Sequence, residues 1–209
     1  MSNRGRLTLS LFLVLASEAL AQTTLQVKVY DYASLKPATL QEFVARIHRI
    51  LAGSGLSVYV ESCARGVEES CKTPTGVATT LVIRVIAGTA RKMSNVRQSP
   101  LGQSFADAEG GTFASVFLAP AQDQAAEANV PWVVVLAYAA AHEIGHLLLG
   151  NRAHTPRGLM KAKWDGNDFQ AMNQNSCHFS SEQIRELTKR YGVSGRADQG
   201  TDAALTSPR

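Results

Sequence analysis

His142-Glu143-Ile144-Gly145-His146 interrupts the longest apolar stretch of the chain, Val130 to Leu149. Pro131 suits the first turn of a helix and Gly150 suits its end, so the five residues lie on a helix. Histidines at i and i+4 share one helix face about one turn apart, and both imidazoles can reach a single cation. Glu143 stands one residue round from His142, near such a cation without needing to bind it. This is the H-E-x-x-H arrangement for zinc. The ion lowers the pKa of a water toward neutrality, and the glutamate accepts its proton as the water attacks a carbonyl. Burying two histidines and a glutamate in an apolar helix without such a use is costly.

A catalytic zinc takes three protein ligands and leaves one position open. The third ligand must come from chain that has left the helix. Gly150 supplies the exit and His154 follows it, so three of the five histidines fall within thirteen residues. Asp165 and His178 are the alternatives, on longer returns. Beyond His154, Gly158-Leu159-Met160 can turn a methionine under the histidines as an apolar floor.

Taken together, His142-Glu143-x-x-His146, Gly150, His154 and Met160 resemble the metzincin metallopeptidases of the zincin group. Their pattern is H-E-x-x-H-x-x-G-x-x-H followed by a methionine turn. The resemblance implies one catalytic zinc ion on His142, His146 and His154, Glu143 as general base, and Met160 as the methionine of the turn. For the fold it implies a small mixed twisted sheet, an active-site helix and a C-terminal helix. It also implies an extended peptide substrate along an edge strand, here Thr112 to Leu118. The compact placement of the methionine is most like the matrixin and archaemetzincin branches. The chain departs from the pattern in H-E-I-G-H-L-L-L-G-N-R-A-H, with one additional residue before the glycine and one after it. A further helical residue turns the exit by roughly 100°, which the further loop residue has to undo. The archaemetzincin cysteine pattern is absent. The resemblance is specific over residues 130–165.

Several elements must position this constellation. Leu25 to Tyr32 alternates apolar and polar residues, as a half-buried strand does. Pro37 opens a helix with Leu40, Phe43, Val44, Ile47, Ile50 and Leu51 on one side, stopped by Gly53-Ser54-Gly55. Leu56 to Glu61, Thr79 to Ile86 and Thr112 to Leu118 read as strands. Residues 88–111, with Pro100 and four glycines, read as mostly loop. Pro120 to Asn129 reads as a polar connection, with Asn129 a cap for the apolar helix. Ser181 to Tyr191 reads as a last amphipathic helix. His48 reads as a surface or packing residue, Trp164 and Tyr191 as packing residues, and Cys177-His178 as a surface pair. With no internal repeat and no linker between two cores, the expectation is one α+β domain.

The 209 residues are 45% hydrophobic and 18% charged, which excludes a disordered chain and a coiled coil. The net charge of +4 is not clustered and argues against a nucleic-acid surface. Arg4 and Arg6, the mostly apolar run Leu7 to Ala16, and Ala19-Leu20-Ala21 form a secretory signal peptide, cleaved before Gln22. Its apolar run is too short to cross a bilayer, so no stable membrane anchor is expected after cleavage. The expected organisation is a signal peptide at 1–21, a metzincin-like catalytic domain at 22–193 and a flexible tail at 194–209. Export, to the periplasm or beyond, implies an oxidising compartment. Cys63 and Cys71 then close a small disulfide loop and Cys177 is left over. The reading is an exported zinc-dependent metallopeptidase acting on a peptide or protein substrate. Two rivals share the motif: a secreted, zinc-stabilised binding module without peptidase activity, and a zinc amidase acting on a cell-wall amide. An open coordination position beside Glu143 counts against a purely structural zinc.

Overall fold

Leu25, Val27 and Val29 alternate with Gln26, Lys28 and Tyr30, and the computed structural model forms them into strand β1 (Thr24–Asp31), with the apolar set in the core. The structure describes residues 24–64, 71–73, 75, 77–88 and 99–191, so the expected signal peptide and tail lie outside the described residues. Pro37 fixes the first turn of α1 (Pro37–Ala52), which buries Phe43, Ile47, Ile50 and Leu51. Strand β2 (Ser57–Cys63) runs parallel to β1. Parallel neighbours need a long crossover, and α1 is that crossover. Strand β3 (Val77–Ile86) pairs parallel on the other side of β1 and sends Leu81, Ile83 and Val85 into the same core.

Two more strands complete a five-stranded mixed sheet of order β2-β1-β3-β5-β4. Strand β5 (Gly111–Phe117) is parallel to β3, and β4 (Gly102–Ala106) is antiparallel to β5. This corrects the expected edge. The strand expected at Thr112 to Leu118 is flanked on both sides, and the edge strand next to it among the described residues is β4, in a stretch expected to be mostly loop. A five-residue strand that opens with glycine and carries one large apolar side chain, Phe105, gives almost no periodic signal.

The expected polar connection is also corrected. It is α2 (Leu118–Ala128), an alanine-rich helix. Pro120 does not break it, because it sits in the first turn, where its missing N–H has no intrahelical partner to lose. Asn129 ends this helix in a left-handed conformation, φ 53°, instead of capping the next one. Helix α3 (Trp132–Leu149) follows, with Pro131 before its first residue. Every residue from Val133 to Leu148 is buried. This helix packs on α1, α2, β5 and β4, so it runs through the middle of the domain. Helix α4 (Gly166–Asn173) was not signalled by periodicity, and α5 (Ser181–Tyr191) lies where expected. Cys63 and Cys71 form the expected disulfide, with Cα atoms 5.5 Å apart. Cys177 is free and buried, so it is a core residue and not half of a surface pair.

Candidate metal centre and active site

The period of α3 carries His142 and His146 on one face, and their Nε2 atoms lie 3.2 Å apart. The Nε2 of His154 lies 3.0 Å from that of His146. The three ring nitrogens converge within 4.8 Å of one another, as one metal ion would need. Their tautomers follow from what stands behind them. Nδ1 of His142 faces the Leu159 carbonyl at 2.8 Å, and Nδ1 of His146 faces the Gly150 carbonyl at 3.2 Å. A carbonyl oxygen only accepts, so each Nδ1 carries the proton and each Nε2 turns a lone pair toward the others. Lone pairs at this distance repel unless a cation sits between them. A shared proton is a poor candidate. Burial pushes the His142 pKa down to about 4 and lowers that of His146 as well. A ring N–H held by a backbone carbonyl is also the usual way a metal-binding histidine is oriented. The donor set therefore fits zinc.

Gly150 explains how the altered spacing still brings His154 back. Its backbone is at φ 92°, a region that side chains resist, and a Cβ there would collide with the Ala108 carbonyl in the β4–β5 turn. Asn151 donates its N–H to the Asp107 carbonyl at 2.8 Å, which ties the exit to that same turn. Ala153 donates back to the Gly150 carbonyl at 3.3 Å. The additional loop residue is thus taken up in a turn, and the chain doubles back on His146.

Met160 is fully buried under α3. Thr155 donates its N–H to the Met160 carbonyl at 2.9 Å, which closes a tight turn. A Cβ on Gly145 would overlap the Met160 sulfur, so the glycine between the two histidines makes room for the methionine. The same turn presents the Leu159 carbonyl to His142, so it both floors and orients the site. Trp164 meets the His142 ring edge-on, with centroids 5.3 Å apart, and also packs on Phe169.

Glu143 is buried beside this group, and burial pushes its carboxyl up to about 7. Hydrogen bonds from the Ser104 side chain and backbone work in the opposite direction. A Cβ on Gly102 would lie 2.6 Å from Glu143 Cγ, so the glycine lets the edge strand close onto the carboxylate. Sequence reasoning missed both Gly102 and Ser104, because nothing marked β4 as a strand.

The alternatives for the third ligand lie elsewhere. Asp165 caps α4, accepting from the backbone N–H groups of Asn167 and Asp168, and it pairs with Lys161 at 2.7 Å. Its side chain has a complete set of partners without a metal. His178 is exposed and lies outside the three-histidine group, with its backbone carbonyl accepting from Leu159 N–H at 2.9 Å.

A mixed sheet ending in an antiparallel edge strand, a buried helix bearing three polar groups over that edge, and a methionine turn beneath them define an archaemetzincin-like α/β fold. Among solved structures, the chain is similar to the crystal structure of archaemetzincin from Methanopyrus kandleri. The match covers 83% of this chain and 97% of that one, with a TM-score of 0.53 and 15% sequence identity, so the likeness is one of fold. No family model matches the sequence, and no curated protein matches it.

Proposed function

We propose that this chain is an exported zinc-dependent metallopeptidase that hydrolyses peptide bonds, with one zinc ion on His142, His146 and His154 and Glu143 as general base. One observation carries the reading: three imidazole nitrogens converge, and two of the three rings set their other nitrogen against a backbone carbonyl. When bound, zinc supplies Lewis acidity, polarising a carbonyl and lowering the pKa of water toward neutrality. Glu143 receives the attacking water's proton on its carboxylate and delivers it to the leaving amine. A carboxyl raised by burial is suited to both halves of that task near neutral pH. Gly102 and Ser104 hold that carboxylate against β4. Because β4 is an edge strand of the sheet among the described residues, and the one beside Glu143, an extended peptide can lie along it with its scissile bond near Glu143. The archaemetzincin-like fold supports the same class of chemistry, and the Cys63–Cys71 disulfide supports an oxidising, exported setting. The test is metal content of the mature protein together with cleavage of an unbiased peptide library. One zinc per chain and internal cleavage of peptides are expected. Zinc with no peptide cleaved would overturn the peptidase assignment in favour of a cell-wall amide substrate or a binding module.

A further inference from the structure

We propose that Gln183 on α5 is a positioning residue for His154 and sets the affinity of the metal site. The inference rests on the reading of His154 as a ligand. The rings of His142 and His146 are each steadied through Nδ1 by a backbone carbonyl, and they stand on a buried helix. His154 is exposed and sits beyond a turn that holds the additional residue. Its place therefore depends on what fixes the backbone just before it. Gln183 does this: its Nε2 donates to the Ala153 carbonyl at 2.8 Å. The side chain is buried, and its other end is anchored as well. Its Oε1 accepts from Ser180 N–H at 2.9 Å, while the Gln183 N–H donates to Ser180 Oγ at 3.2 Å. That is a capping box, so the start of α5 and the residue before His154 are joined through one amide. The far end of α5 holds the other shoulder of the same exit. Tyr191 hydroxyl and Arg190 Nη1 donate to the Leu148 carbonyl at 3.1 and 3.2 Å, and Arg190 also donates to the Glu109 carbonyl of the β4–β5 turn. Helix α5 thus brackets the exit from Leu148 to Ala153, the segment that is longer than in the metzincin pattern.

The capping box makes the test selective. Gln183→Glu keeps an acceptor for Ser180 N–H, and an acidic residue suits a helix start, so α5 keeps its cap. It loses the donor to Ala153 and sets a carboxylate oxygen against that carbonyl. Gln183→Met keeps the length and lacks the donor, and serves if the glutamate variant misfolds. Zinc affinity is measured by chelator competition at pH 8, together with the thermal stability of the metal-free protein and the visible absorption of the Co2+ form. His154→Ala is the reference. Weaker zinc binding by roughly 10- to 100-fold is expected in Gln183→Glu and Gln183→Met. Their Co2+ spectra should shift toward that of His154→Ala, and metal-free Gln183→Glu should still unfold in one cooperative transition, somewhat below the parent because a buried hydrogen bond is lost. If His154→Ala weakens zinc and both Gln183 variants bind as the parent does, the positioning role is overturned and the ligand assignment stands. If His154→Ala itself binds zinc normally, the ligand assignment falls and the role of Gln183 falls with it.

Discussion

His142 and His146 stand on α3, whereas His154 stands on a loop, and the two regions reach the same point by different physics. The helix fixes the first pair through its own repeat, and packing on every side holds the helix. The segment 150–154 turns at Gly150, but contacts from outside it are needed to bring His154 back. The segment is exposed over most of its length and is directed by a glycine, by the β4–β5 turn and by α5. Helix-borne groups are fixed by local sequence, and the loop-borne one by distant partners.

Removing each histidine in turn tests that difference most severely. His142→Ala and His146→Ala should each abolish stoichiometric zinc, because each leaves a hole in a buried, preorganised pair. His154→Ala should weaken zinc severely yet leave that pair intact, while His178→Ala should bind as the parent does. Metal stoichiometry after dialysis against graded chelator checks the order. Full stoichiometry and unchanged affinity in His154→Ala would break the comparison.

Glu143 is helix-borne like the first pair but is anchored by the edge strand. Glu143→Gln should keep the zinc and lose roughly 10²- to 10⁴-fold in turnover, the usual weight of a general base. Comparing metal content with peptide cleavage in the same preparation separates the two effects. Loss of zinc in this variant would make Glu143 a ligand and overturn the mechanism.

Gly145 measures how tightly the helix face is set against the methionine turn. In Gly145→Ala the new methyl meets the Met160 sulfur. Overpacking of this kind costs about 1–3 kcal/mol. Thermal or urea unfolding of the metal-free protein reads it directly. A neutral result would show that Met160 moves aside freely and does not brace the site.

The same contrast explains what the sequence made legible. The H-E-x-x-H spacing pointed to one helix face because the α-helical period is universal. Strand β1 was visible because Leu25, Val27 and Val29 alternate with the polar Gln26 and Lys28, and β3 because Leu81, Ile83 and Val85 sit in a run of β-branched and apolar residues. Strand β4 was not visible, since pairing with β5 makes Gly102–Ala106 a strand and its own pattern does not. Helix α2 was hidden because its polar residues read as a connection, and the fit of Pro120 to a first turn depends on where the helix starts. The capping box at Ser180 and Gln183 was a usable signal for the start of α5. Its second contact, to Ala153, joins positions 30 residues apart, and no local pattern reports it.

Asp165 gives the smallest and most selective test, because sequence alone ranked it among the possible ligands. Its carboxylate has other work. The Lys161 ammonium beside it, and then the backbone N–H groups of Asn167 and Asp168, hold its pKa below the ordinary aspartate value. A carboxyl lowered by folding stabilises the fold above its unfolded pKa of about 4, and that contribution fades as pH falls through the lowered value. Asp165→Asn keeps a capping side chain and removes the charge. It should therefore melt slightly below the parent at neutral pH, and the gap should close in acid. Asp165→Ala, which also removes the cap, should retain a deficit in acid. Neither variant should change zinc affinity, because the histidine group closes without this residue. A loss of zinc in both, with melting unchanged, would move the third ligand to α4 and leave His154 as a bystander.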